Sequence, residues 1–194
     1  MHTILFGTTN QGKLQEVQKI GRQVGISFEG LGAVSGRESR ELPTVVEGMP
    51  SYEANAAHKA LTYARWAGCA CVADDTGLES AALGGLPGLY SHRFGIQRFA
   101  DLIGARAWSE ARFVCCISYA EPSGRIISVH GCLEGYIRPP TEEELLFLER
   151  DSLPYAYLFR PRGSTLSLRD LHANPQFRSH RGTAVAALAR VMDW

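Results

Sequence analysis

The run Ala70, Cys71, Val72, Ala73, Asp74, Asp75, Thr76, Gly77 constrains this chain more than any other stretch. Small apolar residues suited to a strand buried on both faces give way to two carboxylates, a hydroxyl and a glycine. The carboxyl end of such a strand is where open α/β sheets place ligands, because the turn there meets solvent. The pattern therefore predicts a strand ending at the two aspartates, built like a metal site. If the strand ran on through them, Asp74 and Asp75 would point to opposite faces, one toward a ligand and the other holding the turn. Gly84, Gly85, Pro87 and Gly88 follow in a loop able to bring backbone close to a bound group, ahead of Tyr90, Ser91, His92 and Arg93.

The N-terminal region has the complementary character. Thr3 to Phe6 is an apolar strand, then come Gly7, Thr8, Thr9, Asn10, Gln11, Gly12 and Lys13, and then a helix with Leu14, Val17, Ile20 and Val24 near one face. A helix N-terminus favours an anion, the small threonines permit close approach, and Lys13 adds a full charge, so a phosphate site is one reading. An ordinary turn capped by Asn10 is the other. The spacing of Gly7, Gly12 and Lys13 imitates a P-loop but fails at Leu14, where a hydroxyl is needed to hold magnesium.

Farther along, a strand is expected near Ile26 to Phe28. The segment from Gly30 to Pro50 reads as a charged Gly- and Pro-rich loop carrying Arg37, Glu38, Arg40 and Glu41 and closing at Glu47 and Gly48. A helix over Ser51 to Ala67 has Ala56, Ala60, Ala64 and Ala67 on one face and Tyr52, Asn55 and Lys59 on another. Lys59 is there either to reach a phosphate or simply as a solvated charge. A short helix over Ile96 to Gly104 precedes a long hairpin, Arg112 to Ala120 and Ile126 to Ile137, turning at Glu121 to Gly124. Thr141 and Glu144 form a capping-box pattern opening an acidic helix whose charges suit a solvated face. The aromatic patch Leu153 to Phe159 suits either core packing or stacking on a flat base. His180 and Arg181 stand at the start of a last helix through Val185, Leu188 and Met192. Cations there oppose the helix dipole, which hints at a ligand.

A chain of 194 residues that is 45% hydrophobic can bury its own core, and residues 1–194 read as a single domain. Twenty basic residues against twenty acidic ones give no broad basic field, which argues against nucleic-acid or membrane-surface binding. Cys69, Cys71, Cys115, Cys116 and Cys132 lack zinc-type spacing, so reduced thiols are expected. With no basic, long apolar leader and no membrane-length window, a cytoplasmic location is expected.

Together these stretches resemble the inosine/xanthosine triphosphate pyrophosphatase family, which converts deaminated purine nucleoside triphosphates to monophosphates and pyrophosphate. The likeness is carried by Thr8 to Lys13 and on to Glu16, by Tyr52, Asn55, Ala56, Lys59 and Ala60, by Ala73 to Leu78 continuing through Gly84, Gly85, Pro87, Gly88, Tyr90, Ser91 and Arg93, and by Ser179, His180, Arg181, Gly182. It implies an α/β fold with an elongated mixed central sheet, flanking helices and two lobes around a nucleotide cleft, in a homodimer. Departures lie mainly in the base-binding half, with one on the second helix. Leu153, Pro154, Tyr155 and Ala156 replace an aromatic, glycine, aromatic, aspartate run, Pro175 replaces a lysine, and Ala54 replaces a glutamate.

The resemblance implies Mg2+-dependent hydrolysis, with Asp75 as metal ligand and base, Glu47 as a further metal-binding carboxylate, and Lys13 and Lys59 withdrawing charge from the α-phosphorus. Thr8, Thr9, Asn10, Gln11, Gly12, Asn55, Thr76, Arg93 and Tyr155 are expected around the substrate. His180 and Arg181 are expected to donate to an oxo base such as hypoxanthine or xanthine. A diverged pyrophosphatase acting on another nucleotide, suggested by Ala156 and Pro175, is an alternative, as is a nucleotide-binding protein without turnover.

Overall fold

The computed structural model describes residues 2–34 and 41–194, so Arg37, Glu38 and Arg40 lie outside the described residues. Six strands hydrogen-bond in the order β2-β1-β3-β4-β5-β6. They are β1 (His2–Phe6), β2 (Ile26–Gly30), β3 (Cys71–Ser80), β4 (Ser109–Ala120), β5 (Ile126–Ile137) and β6 (Phe159–Pro161). β1 runs parallel to both β2 and β3, whereas β5 and β6 are antiparallel, so the sheet is mixed. Among the described residues the α-helices include α1 (Gln11–Gln23), α2 (Tyr52–Ala67), α3 (Ser91–Phe94), α4 (Ile96–Ile103), α5 (Glu142–Leu148), α6 (Tyr155–Leu158), α7 (Leu168–Leu171) and α8 (His180–Met192), with short 3-10 turns at Ala81–Leu83 and Gly88–Tyr90.

The chain divides into two compact units. One comprises residues 1–75, 115–131 and 181–194, and the other residues 76–114 and 132–180. In the first, Phe6, Val17, Ile26, Phe28, Val72, Cys115, Ile117, Val185 and Leu188 form one apolar core, and Leu5, Leu31, Ala60, Tyr63, Ala64 and Cys71 form another. In the second, Leu78, Phe94, Phe99, Ile103, Phe113, Ile137, Leu158 and Phe159 pack together. The side chain of Leu14, where a P-loop would need a hydroxyl, presses on Gly30; a Cβ added there would lie 2.7 Å from it.

One expectation is corrected. β3 does not stop at the aspartates but continues to Ser80, so Asp74 and Asp75 sit within the strand. Only Leu5 and Phe6 of β1 pair with β3, at Cys71 and Val72, and the Gly7 amide donates to the Val72 carbonyl at 2.7 Å before the chain leaves toward α1. What opens beside the two carboxylates is therefore the end of β1 rather than the end of β3. The alternation rule then applies to Asp74 and Asp75, which take different partners.

Candidate functional site

Asn10 caps α1: its Oδ1 accepts from the Lys13 amide at 3.0 Å, and the Asn10 amide donates to Thr8 Oγ1 at 3.1 Å. The cap and the phosphate reading are compatible, because a cap that shapes the first turn also aims its remaining amides outward. Thr8 and Gly12 are half-buried, Thr9 and Gln11 exposed. The Lys13 ammonium lies 3.2 Å from Asp74 Oδ2.

Asp74 is fully buried and its Oδ2 is the hub of a charged cluster. Arg181 donates to it from Nη2 at 3.0 Å and from Nε at 3.3 Å, and from Nη1 to Glu16 of α1. Burial opposes the Arg181 charge, but Glu16 and Asp74 outweigh it and hold the guanidinium protonated. This accounts for a cation at the start of α8. Two carboxylates from β3 and α1 neutralise it, and three segments distant in sequence are joined as a result. Arg181 is thereby turned into the first unit, engaged with protein carboxylates.

Asp75 belongs to a second group. Asn55 of α2 donates to its Oδ2 at 2.9 Å, while Asn55 Oδ1 accepts from the Met49 amide at 2.9 Å. One buried amide thus ties the candidate base to the loop before α2. The same loop is held at two further points: Lys59 pairs with Glu47, and Trp66 Nε1 donates to the Glu41 carbonyl at 2.9 Å. Lys59 is not a solvated lysine. Asn55 and Lys59 form a row at four-residue spacing beside the row Ala56, Ala60 and Ala64 on α2, and all five are buried. Burial alone would lower the Lys59 pKa, but Asp74, Glu47 and Asp75 overcome it and raise it. Desolvation pushes Asp75 above the ordinary carboxylate range, against the Asn55 hydrogen bond and the charges of Lys59 and Lys13. A carboxylate so placed is a better general base near neutrality than an exposed one.

Taken together the two groups set three cations, Lys13, Lys59 and Arg181, against four carboxylates, Glu16, Glu47, Asp74 and Asp75. Fully ionised, they carry one negative charge in excess. The Lys59 ammonium marks a place beside Glu47 and within the field of Asp75 where a cation is favoured. Hard carboxylate oxygens suit Mg2+, which is commonly held by one or two carboxylates together with water and substrate phosphates. Among the described residues no three His, Cys, Asp or Glu converge as a complete metal cage, and a shared site of that kind needs none. Glu47 and Asp75 therefore fit the expected ion.

The remaining expected residues lie in the second unit. The ring of His180 stacks on Phe113, centroids 4.7 Å apart and planes 13° apart. Tyr155 is packed in the core with its ring edge-on to Phe99 at 5.3 Å, and its buried hydroxyl has no hydrogen-bond partner among the described residues. Thr76 is half-buried, and Arg93 is exposed with its guanidinium 5.5 Å from the Tyr90 ring centroid. Sequence reasoning did not find the Glu16–Arg181 pair or the Phe113 platform. The available signals were an acid three residues after Lys13 on the same helix, and an aromatic at an inward position of β4.

A mixed α/β sheet with an anion-favouring helix terminus beside a buried carboxylate and cation cluster defines the class of fold and site. The sequence profile of the Ham1 family matches residues 4–191, and the chain belongs to that family. It is 36% identical to the dITP/XTP pyrophosphatase of Deinococcus radiodurans over 95% of this chain and 90% of that one. It is 34% identical to the dITP/XTP pyrophosphatase of Syntrophobacter fumaroxidans over 99% and 83%. Among solved structures, the Ham1 protein of Staphylococcus aureus superposes with a TM-score of 0.73 at 25% identity, covering 98% of both chains. That of Coxiella burnetii does so at 0.75 and 26%, covering 100% and 99%.

Proposed function

We propose that this protein is a nucleoside triphosphate pyrophosphatase that hydrolyses deaminated purine nucleotides such as ITP, dITP and XTP to the monophosphate and pyrophosphate. The relatives' shared name supports the substrate class. The single observation that carries the chemistry is a desolvated, amide-oriented Asp75 set within the electrostatic reach of the buried Lys59 and of Lys13 in the capped loop. In this reading the α1 terminus, with Thr8, Thr9, Gln11 and Gly12, receives the phosphates, and Asn10 shapes that turn. Asp75 orients and deprotonates the attacking water, while Lys13 and Lys59 offset the charge that develops on the α-phosphoryl oxygens and the leaving pyrophosphate. Glu47 and Asp75 would hold Mg2+, which supplies Lewis-acid polarisation of the phosphate oxygens.

Base contacts fall to His180, whose ring is fixed by Phe113 and can donate to an oxo group, and to Tyr155, whose buried hydroxyl has no partner among the described residues. Adenine presents an amino donor at the same edge and is disfavoured. Thr76, directly after the base in sequence, and Arg93 supply further phosphate-side donors. The protein works in the cytoplasm as a homodimer in this reading, as the family resemblance implies.

The test is to incubate the purified chain with Mg2+ and ITP, XTP, dITP, GTP, ATP, UTP and CTP, resolving all phosphate products. Monophosphate and pyrophosphate chiefly from ITP, dITP and XTP are expected. Equal hydrolysis of ATP would overturn the assignment to His180. The same products from another nucleotide alone would move the assignment to a diverged enzyme, as Ala156 and Pro175 would allow.

A further inference from the structure

Lys59 is enclosed, its side chain only 8% exposed on a helix that also buries Ala56, Ala60 and Tyr63, whereas its partner Glu47 is 35% exposed. A solvent-borne cation can thus reach the carboxylate without first moving the helix. The loop that carries Glu47 does not depend on the ion pair for its position, because Asn55 and Trp66 also tether it to α2. Loss of the pair frees an ammonium without releasing the loop. An ammonium and a divalent cation seek the same oxygens, and a buried ammonium deprived of its carboxylate needs another anion nearby.

We infer that Lys59 is the internal counterion of the metal site: its ammonium occupies Glu47 until a divalent cation takes that carboxylate, and the displaced ammonium passes to the polyphosphate of the substrate. This rests on the reading that Glu47 and Asp75 hold the metal. The exchange makes metal and polyphosphate bind cooperatively. Metal alone leaves the buried ammonium with only Asp75 and an Asp74 already shared by Lys13 and Arg181, whereas metal arriving with polyphosphate supplies a further anion to receive it. By linkage each ligand tightens the other to the same degree. It also gives Lys59 a positioning role before it has a catalytic one.

The experiment measures Mn2+ binding to the full chain by electron paramagnetic resonance, with and without imidodiphosphate, for the wild type and for Lys59→Gln, Lys59→Met, Lys59→Arg and Glu47→Gln. Removing the competing charge should tighten Mn2+ alone about tenfold in Lys59→Gln and Lys59→Met, and should cut the enhancement by imidodiphosphate by a similar factor. Lys59→Arg keeps a cation on Glu47 and should stay near the wild type. The chain has three lysines, Lys13, Lys19 and Lys59, so the Lys59 ammonium can also be followed in the folded wild type by lysine-selective 15N resonance. Its signal should shift on addition of Mg2+ and shift again with imidodiphosphate. Mn2+ binding that is unchanged or weaker in both uncharged variants, yet lost in Glu47→Gln, would overturn the exchange and leave the metal reading standing. Mn2+ binding indifferent to Glu47→Gln would remove Glu47 from the metal site and the exchange with it.

Discussion

Asp74 and Asp75 are neighbours with the same side chain and opposite employment. Asp74 is fully buried among cations from α1 and α8, and its carboxylate holds protein groups together. Asp75 is oriented by one amide and raised in pKa by desolvation, the preparation a general base needs. The two should separate cleanly on substitution. Asp75→Asn can keep a hydrogen bond from Asn55, so thermal unfolding should be near that of the wild type while turnover falls by about 10²–10⁴-fold. Arg181→Met leaves Asp74 and Glu16 buried without their main cation, a loss of about 3–5 kcal/mol for broken buried ion pairs, to be read from urea unfolding. An Arg181→Met chain as stable as the wild type would contradict the clamp. The sequence already set the two aspartates on opposite faces, one toward a ligand and the other structural, but it did not show what Asp74 holds. Asp74 and Arg181 are 107 residues apart, and no local spacing announces that they meet.

At the scale of elements, local signals carried over and non-local ones did not. The capping box on α5 is present as read, with Thr141 Oγ1 accepting from the Glu144 amide and Glu144 accepting from the Thr141 amide, because such a motif is complete within four residues. Its acidic turn is only partly a solvated face: Glu144 also takes Arg138 in a two-point bridge at 2.6 and 2.7 Å. That hydrogen bonding, against some desolvation, lowers the Glu144 pKa to about 2 from 4.5. A depressed folded-state pKa contributes stability that is complete above the unfolded value and lost as pH falls through the folded one. The melting-temperature gap between wild type and Glu144→Gln should therefore be full above about pH 5 and close toward pH 2. A gap independent of pH would refute the bridge. The misjudged end of β3 has the opposite origin. Thr76 to Ser80 is polar and glycine-broken in sequence, and it is held as strand by sheet neighbours that the sequence does not display.

For the whole molecule, zero net charge conceals a strongly polarised interior. The charges that matter are buried within the first unit and nearly cancel there, so composition excluded a broad anion-binding surface but could not locate an anion site. The residues proposed for the phosphate side were legible because each sits in a local motif: a capped turn, one helix face, one strand. The base side was less so, since Leu153 to Ala156 depart from the family pattern and Tyr155 proves to be packed in the core of the second unit. Attack by water at the α-phosphorus is tested by hydrolysing ITP in 18O-labelled water and weighing the products. The expected result is one heavy oxygen in the inosine monophosphate and none in the pyrophosphate. Label in pyrophosphate or in released orthophosphate would place the attack on another phosphorus and contradict the assignment of Asp75, Lys13 and Lys59.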